Sequence, residues 1–170
     1  VGLANVVEIS AGGAHTCGIR TDSTLWCWGW NFYGQLGDGT TIDRPSPVQV
    51  GASTWKTVTT GGNHVCAVRA DDSLWCWGSN QYGQLGTGAW GSNPSTRYQV
   101  GAASWKSVSA GGTHTCAVRS DDTLWCWGFN GNNQLGDGTT TDRLGPVQIG
   151  AGLWRTVEAG WLHNEAIPKA

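Results

Sequence analysis

The feature of this sequence that most constrains its fold is an internal repeat. Four histidines recur at intervals of 49, 50 and 49 positions, at His15, His64, His114 and His163. Cysteine pairs, and a tryptophan followed by Lys or Arg, recur with the same period. Such a period is typical of propellers and solenoids, in which each repeat buries its apolar surface against the next. We therefore expect one repeat domain over residues 1–170, with units at about 6–54, 55–104 and 105–153 and a partial unit at 154–170.

Each complete unit contains two short strand-like segments separated by a polar turn. In the third unit the turn covers residues 120–123, where Ser and Asp favour turn geometry because their side chains bond to nearby backbone. A hairpin centred on Asp121 places Cys116 opposite Cys126 on one face and alanine opposite tryptophan on the other. Both faces are apolar and need cover, so we predict an all-β fold of stacked blades, as in a β-propeller.

The six cysteines form three pairs with the same separation. Opposed residues of antiparallel strands have Cβ atoms about 4.5–5.5 Å apart, which permits a cross-strand disulfide. Six cysteines allow many connectivities, and the repeat selects the one in which each unit closes its own bond. The predicted bonds join Cys17 to Cys27, Cys66 to Cys76 and Cys116 to Cys126. Disulfides favour an oxidising location, so we expect a secreted or cell-surface protein.

Two alternatives for the cysteines remain open. One is a zinc site that combines thiolates with His15, since both groups are zinc ligands. Against it, the sequence has no closely spaced cysteine pair, and His163 is kept in the fourth unit, where Glu165 stands in place of cysteine. The other alternative is reduced, buried cysteine. We expect no metal and no cofactor.

Composition and repetition exclude several classes of function. Charged residues make up 13% of the chain and the net charge is −2, whereas nucleic-acid binding depends on clustered Lys and Arg. No apolar stretch approaches the roughly 20 residues of a membrane span, so we expect neither nucleic acid nor membrane as a partner. The histidines occupy equivalent positions, whereas a catalytic site is usually one constellation. We therefore expect them to hydrogen-bond a neighbouring turn, in a protein that is not an enzyme.

Two loops share the pattern Gly-Asp-Gly-Thr-Thr-x-Asp-Arg. It resembles a calcium-binding loop only faintly, because the ligand order and terminal glutamate of an EF-hand are absent. We expect turn capping, together with ion pairs to Arg44 and Arg143. The aspartates concerned are Asp38, Asp43, Asp137 and Asp142.

Positions that differ between units are free to serve in binding, and aromatic residues in loops are typical anchors of interfaces. Unit two also has a distinct loop at 89–94. Tyr33 and Tyr82 precede Gly-Gln-Leu-Gly and are expected to pack between blades, which is also the alternative for Trp30 and Phe129. The candidate binding residues are Trp30, Phe32, Trp90, Phe129 and Trp161.

The motifs together indicate a known family. The third unit reads H-T-C-A-V-R-S-D-D-T-L-W-C-W-G-F-N before N-Q-L-G, and Y-G-Q-L-G occurs at 33–37 and 82–86. Over nearly the whole chain this resembles the regulator-of-chromosome-condensation repeat, and the cysteine pairs resemble the variant common in secreted bacterial members. The resemblance implies a β-propeller, usually of seven blades, that binds proteins through loops at the blade ends. It also implies relatives as different as a β-lactamase inhibitor and a nucleotide-exchange factor.

Three units and a fraction cannot close such a ring alone. We expect oligomerisation, or a longer chain, to complete it, because an open stack exposes an apolar face and unpaired strand edges. The expected function is therefore a non-catalytic, secreted propeller module for protein binding or self-assembly. A carbohydrate-binding propeller is the alternative, since tryptophan faces also stack on sugar rings. Nucleotide exchange and enzyme inhibition fit less well.

Overall fold

The computed structural model describes residues 2–91 and 96–170, and within these ranges the regular structure consists of β-strands alone. The strands are β1 (Val6–Ala11), β2 (His15–Arg20), β3 (Leu25–Gly29), β4 (Arg44–Gln49), β5 (Trp55–Thr60), β6 (His64–Arg69), β7 (Leu74–Gly78), β8 (Tyr98–Gln99), β9 (Trp105–Ala110), β10 (His114–Arg119), β11 (Leu124–Gly128), β12 (Arg143–Gln148), β13 (Trp154–Ala159) and β14 (Asn164–Pro168).

The strands form antiparallel sheets that follow the repeat. Blades 1, 2 and 3 are four-stranded, with the orders β1-β2-β3-β4, β5-β6-β7-β8 and β9-β10-β11-β12. Blade 4 contains β13 and β14. The first strands of consecutive blades are neighbours, so β1, β5, β9 and β13 surround the axis of the stack. The prediction of all-β propeller blades is confirmed, and the sheets form an open arc.

The predicted hairpin register is confirmed in each complete blade. In blade 3, Cys116 lies opposite Cys126 and Ala117 opposite Trp125. The turn places Asp122 at φ 68°, a left-handed conformation that aspartate tolerates better than most residues. All three predicted disulfides are present, joining Cys17 to Cys27, Cys66 to Cys76 and Cys116 to Cys126.

Each complete blade has a disulfide face and a tryptophan face, and neighbouring blades join one to the other. Cys66 and Leu74 on the disulfide face of blade 2 share a buried cluster with Trp105 and Trp127 on the tryptophan face of blade 3. The same arrangement joins blades 1 and 2, and blade 3 and β13-β14. Burying one large apolar side chain contributes about 1.5–3 kcal/mol, so each junction stabilises the stack through several such side chains.

A glycine pair after the first strand lets consecutive blades approach closely. The amide of Gly62 donates to the carbonyl oxygen of Gly111 at 3.2 Å. A Cβ atom added to Gly61 would lie 2.4 Å from that oxygen and 2.4 Å from Cε1 of His64. Both distances are far below van der Waals contact, so only glycine allows this spacing between blades.

Within the described residues, no neighbouring blade covers the tryptophan face of blade 1. Ile9 on this face is 62% exposed, whereas Val108 at the equivalent position of blade 3 is 8% exposed. Trp28 is likewise half-buried, whereas its equivalent Trp127 is fully buried. The stack is therefore open at this end, with an apolar surface that matches an interface used inside the molecule.

Candidate functional site

The loops that carry the candidate binding residues all lie at one end of the blades. Gly29, the last residue of β3, pairs with His15 at the start of β2 and with Arg44 at the start of β4. The β1–β2 turn and the β3–β4 loop therefore share this end, and blades 2 and 3 have the same topology. We call it the loop end; its described segments are 12–14, 30–43, 61–63, 79–91, 111–113, 129–142 and 160–163. The opposite end, with turns at 21–24, 70–73 and 120–123, is the hairpin end.

Each long loop is organised around a buried asparagine. The Nδ2 of Asn31 donates to the carbonyl oxygens of Thr40 and Ile42, each at 3.1 Å, while its Oδ1 accepts a backbone N–H at 2.9 Å. Asn80 and Asn130 hold the next two loops in the same way. A buried amide needs partners for both its donors and its acceptor, so these asparagines fix the loop shape on which the exposed side chains depend.

The acidic positions of two loops are structural, as predicted. Arg44 pairs with Asp38 and Arg143 with Asp137, each with 2.7 Å between Nε and Oδ2. Burial alone would raise the pKa of Asp137, but hydrogen bonds from a threonine and from Arg143 outweigh it and lower this pKa to about 2. The Asn130 amide also donates to Asp137 Oδ1 at 3.0 Å, so a neutral donor occupies the centre of the oxygen cluster. Within residues 2–91 and 96–170, no group of three or more His, Cys, Asp or Glu side chains could hold a metal ion.

Blade 1 contributes an aromatic cluster to the loop end. Trp30 stacks on Phe32 with ring centroids 5.9 Å apart, and Tyr33 contacts both rings edge-on at 5.5 and 5.1 Å. Phe32 is 64% exposed, and Ile42 of the same loop is also exposed. Ile42 was not among the sequence candidates, although its position is occupied by Thr141 in the third unit, a difference of the kind that singled out the others.

A second aromatic contact joins blades 2 and 3. Tyr82 of blade 2 meets Phe129 of blade 3 with ring centroids 5.0 Å apart. The contact agrees with the expectation that Tyr82 packs between blades, yet its ring is also partly exposed on the loop end. Phe129 is half-buried by the same contact.

Trp161 lies at the axis. It takes the position that glycine has in the other units, and it is 64% exposed. Its ring lies over the backbone of the neighbouring blade, since a Cβ atom added to Gly112 would be 3.0 Å from Cδ2 of Trp161. The glycine pairs and Trp161 together line a shallow cavity of about 250 Å³. An exposed indole therefore borders the axial opening.

Trp90 is carried by the loop that distinguishes unit two and is 68% exposed. Asn80 Nδ2 holds the loop on both sides of it, with 2.9 Å to the oxygen of Ala89 and 2.7 Å to that of Gly91. Residues 92–94 of the distinct loop lie outside the described residues. The structure thus places all five candidates on the loop end, as the pair Trp30 and Phe32 and as three separate positions.

Three of the four repeated histidines, His15, His64 and His114, are buried in the blade junctions, whereas His163 is exposed. The Nε2 of His64 is 2.9 Å from Oγ1 of Thr115, and the Nε2 of His114 is 2.8 Å from Oδ1 of Asn164. These partners belong to the second strand of the next blade, not to a turn as predicted, because the stacking brings that strand over the imidazole. Burial lowers the pKa of His64 to about 3, so the ring is neutral. His64 and His114 thus connect consecutive blades through side-chain hydrogen bonds, His64 as an uncharged ring.

The described part of the chain contains no helix with the length and apolar character needed to cross a bilayer.

Curated relatives match single repeats of this chain. The ultraviolet-B receptor UVR8 of Arabidopsis thaliana is 47% identical over 45 residues, which are 26% of this chain and 10% of that protein. RCC1 domain-containing protein 1 of Homo sapiens is 42% identical over 48 residues, which are 27% of this chain and 13% of that protein. The chain thus matches only a small part of these longer relatives.

Solved structures match the fold over nearly the whole chain. Yeast RCC1 (Prp20), in a structure with Kap60 bound, aligns with a TM-score of 0.83 at 21% identity, over 96% of this chain and 41% of that one. Prp20p of Saccharomyces cerevisiae, solved in work that also concerned its binding to Gsp1p and histones, aligns with a TM-score of 0.82 at 20% identity, over 99% of this chain and 45% of that one. This chain therefore corresponds to less than half of an RCC1 propeller.

Sequence profiles of the repeat identify the family. The regulator of chromosome condensation (RCC1) repeat matches residues 22–68, 71–118 and 121–167, and a second form of the same repeat matches residues 6–35, 55–84 and 105–134. These matches account for most of the chain. Those of the second form begin at the first strand of each complete blade, whereas those of the first form run from one blade into the next. The cysteine pairs fit the disulfide-bonded variant of the repeat. The chain belongs to the regulator of chromosome condensation (RCC1) repeat family.

Proposed function

We propose that this chain is a non-catalytic, secreted or cell-surface propeller module that binds another protein through its loop end. The observation that carries the proposal is the gathering of aromatic side chains from successive blades on that one end. Phe32, Trp90 and Trp161 are each more than half exposed there, and Tyr82 is partly exposed. Aromatic side chains give large contact area for a small loss of conformational entropy, which is why they dominate interface anchors.

The opposite end differs in character, which supports this choice of surface. At the hairpin end Lys106 pairs with Asp122 at 2.6 Å, and Lys56 pairs with Asp72. Exposed ion pairs of this kind contribute little to binding or stability. The yeast relatives also support a protein partner, since their structures concern complexes and binding with other proteins. The three disulfides support an oxidising, extracellular location.

A comparison of two surface variants tests the proposal. Phe32→Ser combined with Trp161→Ser removes two exposed rings from the loop end, and Lys56→Ser combined with Asp72→Ser changes the hairpin end to the same extent. Proteins captured by the wild-type chain from its native source should also be captured by the hairpin-end variant and be lost with the loop-end variant. With the purified partner, we expect Kd to rise roughly tenfold or more for the loop-end variant only.

Two results would contradict this proposal. One is a partner that both variants bind with the same Kd, provided that circular dichroism shows both to be folded. The other is selective binding on a glycan array that disappears in the loop-end variant, which would replace the protein partner by a carbohydrate.

Self-assembly is a second candidate function and rests on a different surface, the uncovered tryptophan face of blade 1. Its residues Val6, Ile9 and Trp28 match positions that are buried between blades elsewhere in the stack. A bare apolar face of this kind favours association. We expect the wild-type chain to sediment as an oligomer and Ile9→Asp to sediment as a monomer. Ile42→Asp, which changes an exposed isoleucine on the loop end, is the matched control and should leave the oligomer intact; a monomeric wild-type chain would exclude self-assembly.

A further inference from the structure

The loop end carries negative charge and almost no positive charge. Its described segments contain four aspartates and, apart from His163, no basic side chain. Two of these aspartates are neutralised by the arginines that begin β4 and β12. The other two, Asp43 and Asp142, form no ion pair with any described residue, although the guanidinium of Arg97 reaches the Gly37 oxygen of this end at 2.6 Å. Two carboxylates on this surface are therefore without a cation of their own.

Asp43 is fixed beside the aromatic cluster of blade 1. Its Oδ1 accepts the backbone N–H of Asn31 at 2.8 Å, and Asn31 lies in the chain between the stacked rings of Trp30 and Phe32. The aspartate is exposed, and its Oδ2 makes no hydrogen bond with a described residue. Blade 1 thus presents an exposed ring and an available carboxylate oxygen from one loop.

Blade 3 repeats this arrangement. The Oδ1 of Asp142, which is half-buried, accepts the backbone N–H of Asn130 at 2.7 Å, directly after Phe129 in the chain. The ring of Phe129 in turn meets that of Tyr82 on the same surface. Asp43 and Asp142 occupy equivalent positions of the repeat, so one combination of aromatic ring and carboxylate occurs twice on the loop end.

A ring and a carboxylate side by side favour a positively charged ligand. The face of an aromatic ring is the negative part of its quadrupole and attracts cations. A carboxylate that an apolar partner covers loses its water without compensation, whereas an arginine or lysine supplies hydrogen bonds and opposite charge. The molecule uses a related contact internally, where the guanidinium of Arg119 lies 3.6 Å from the ring centre of Trp125. A partner that buries the rings of the loop end is therefore expected to bring cations to Asp43 and Asp142.

We propose that the protein partner of the loop end presents arginine side chains, one placed between Asp43 and the rings of blade 1 and one between Asp142 and the ring of Phe129. Arginine suits these positions better than lysine, because its planar guanidinium can stack on a ring and bond to a carboxylate at the same time. An acidic partner is repelled by both carboxylates. This partner chemistry rests on the protein-binding function proposed above.

Titration of the 170-residue chain with short peptides tests the proposal. The probe is the hexapeptide Gly-Arg-Gly-Gly-Arg-Gly, and its control has citrulline, a neutral residue of nearly the same shape, in place of each arginine. Binding is followed in heteronuclear NMR spectra, where the amides of Asn31 and Asn130 and the indole of Trp30 should shift. We expect the citrulline peptide to bind roughly threefold or more weakly, and a peptide with glutamate in place of arginine to leave these signals unchanged.

Asparagine variants separate the charge from the shape of the loop. Asp43→Asn keeps an oxygen that can accept the Asn31 N–H and removes only the charge. It should weaken the response near Asn31 roughly threefold or more and leave the response near Asn130 unchanged. Asp142→Asn should have the reverse effect. The same spectra show whether each variant is folded.

Asp71→Asn is the matched control at the hairpin end. Asp71 is exposed and its Oδ1 accepts the backbone N–H of Ser73 at 3.0 Å, a bond of the same kind. This variant should respond to the arginine peptide as the wild type does. The proposal is overturned if the arginine and citrulline peptides bind equally, if no peptide shifts the loop-end signals, or if Asp43→Asn responds like the wild type.

Measurements with the purified partner separate the charge of the contact from the place of binding. Asp43→Asn combined with Asp142→Asn should raise its Kd roughly tenfold and weaken the dependence of Kd on salt concentration. The partner may be lost with Phe32→Ser combined with Trp161→Ser and yet bind the double asparagine variant with the wild-type Kd and salt dependence. Protein binding at the loop end then stands and a basic partner is excluded. Unchanged binding to both double variants excludes the loop end as the site.

Discussion

The free energy of unfolding should fall by about 4 kcal/mol between about pH 6.5 and about pH 4.5 because buried histidines stay neutral in the folded chain. Burial lowers the pKa of His15 to about 4 and that of His64 to about 3, from an ordinary value of 6.5. Burial lowers the pKa of His114 as well. Between pH 6.5 and these lowered values the unfolded chain binds protons that the folded chain does not, so acid favours unfolding.

The pH window separates the histidines from the carboxylates. The pKa values of Asp38 and Asp137 lie below their ordinary value, so these groups remain ionised in the folded chain throughout the window. Their contribution to stability is present above pH 3.8 and is lost only as the pH falls further. A loss of stability that begins near pH 6.5 therefore belongs to the histidines.

Urea unfolding at several pH values, with the disulfides intact, measures this effect. His64→Gln removes one buried imidazole and should reduce the decline over the window by about 2 kcal/mol, whatever its effect on stability at neutral pH. The slope, rather than the absolute stability, is the quantity to compare. A wild-type curve that is flat between pH 6.5 and pH 4.5, or a variant with the same slope as the wild type, would show that the histidines are not held neutral by burial.

The parts of the fold that depend on neighbours in sequence could be predicted. Alternation along two short strands and the position of Asp121 determine which residues face each other, so the register and the disulfide between Cys116 and Cys126 followed. Because the sequence repeats, the register predicted for one hairpin applied to all three. Contacts between blades could not be derived in this way. The partner of His64 is Thr115 of the next blade, and nothing local to either residue indicates that they meet.

Contacts between distant residues of the same blade also could not be predicted from the sequence. The guanidinium of Arg69 lies over Trp75 at 3.8 Å and near Trp55 at 5.2 Å. This cation–π arrangement occurs where the register of β5 against β6 shifts, which places Trp55 opposite Arg69. In unit one the position of Trp55 is occupied by Val6. The guanidinium of Arg20 therefore lies near one tryptophan ring, that of Trp26, instead of two. The repeat marked these positions as framework without revealing why arginine is used.

For the candidate site, the sequence predicted at which end of the blade the aromatic residues lie, but not how far each side chain is exposed to solvent. Trp30 and Phe129 directly follow third strands, which places them at the loop end of any such blade. How far each ring is exposed depends on loops folded around Asn31 and Asn130, through hydrogen bonds that span up to 11 residues. Phe32 is exposed although it stacks on Trp30, an outcome that depends on this loop geometry.

The free energy of unfolding should fall by about 3–5 kcal/mol in Trp127→Ala. The side chain is fully buried, lies 5.8 Å from the Trp105 ring and donates to the oxygen of Gln84. Its removal leaves a cavity between blades 2 and 3 and takes away one of the two donors to the Gln84 oxygen, which keeps its bond from Thr115. Trp28 has the same place in blade 1, where no described blade covers the face and the side chain is half-buried, so Trp28→Ala should cost less than about half as much.

The two tryptophans form a matched pair in which the residue and its place in the repeat are constant and only the neighbouring blade differs. Both substitutions are best made in the Ile9→Asp background, because a second copy seated on blade 1 would bury Trp28 and raise its cost. Denaturant unfolding, monitored by far-ultraviolet circular dichroism, gives both values. Equal losses in that background would contradict the view that burial between blades, rather than packing within each hairpin, provides the stability of this arc. A larger loss for Trp127 would assign the difference to the junction between blades 2 and 3.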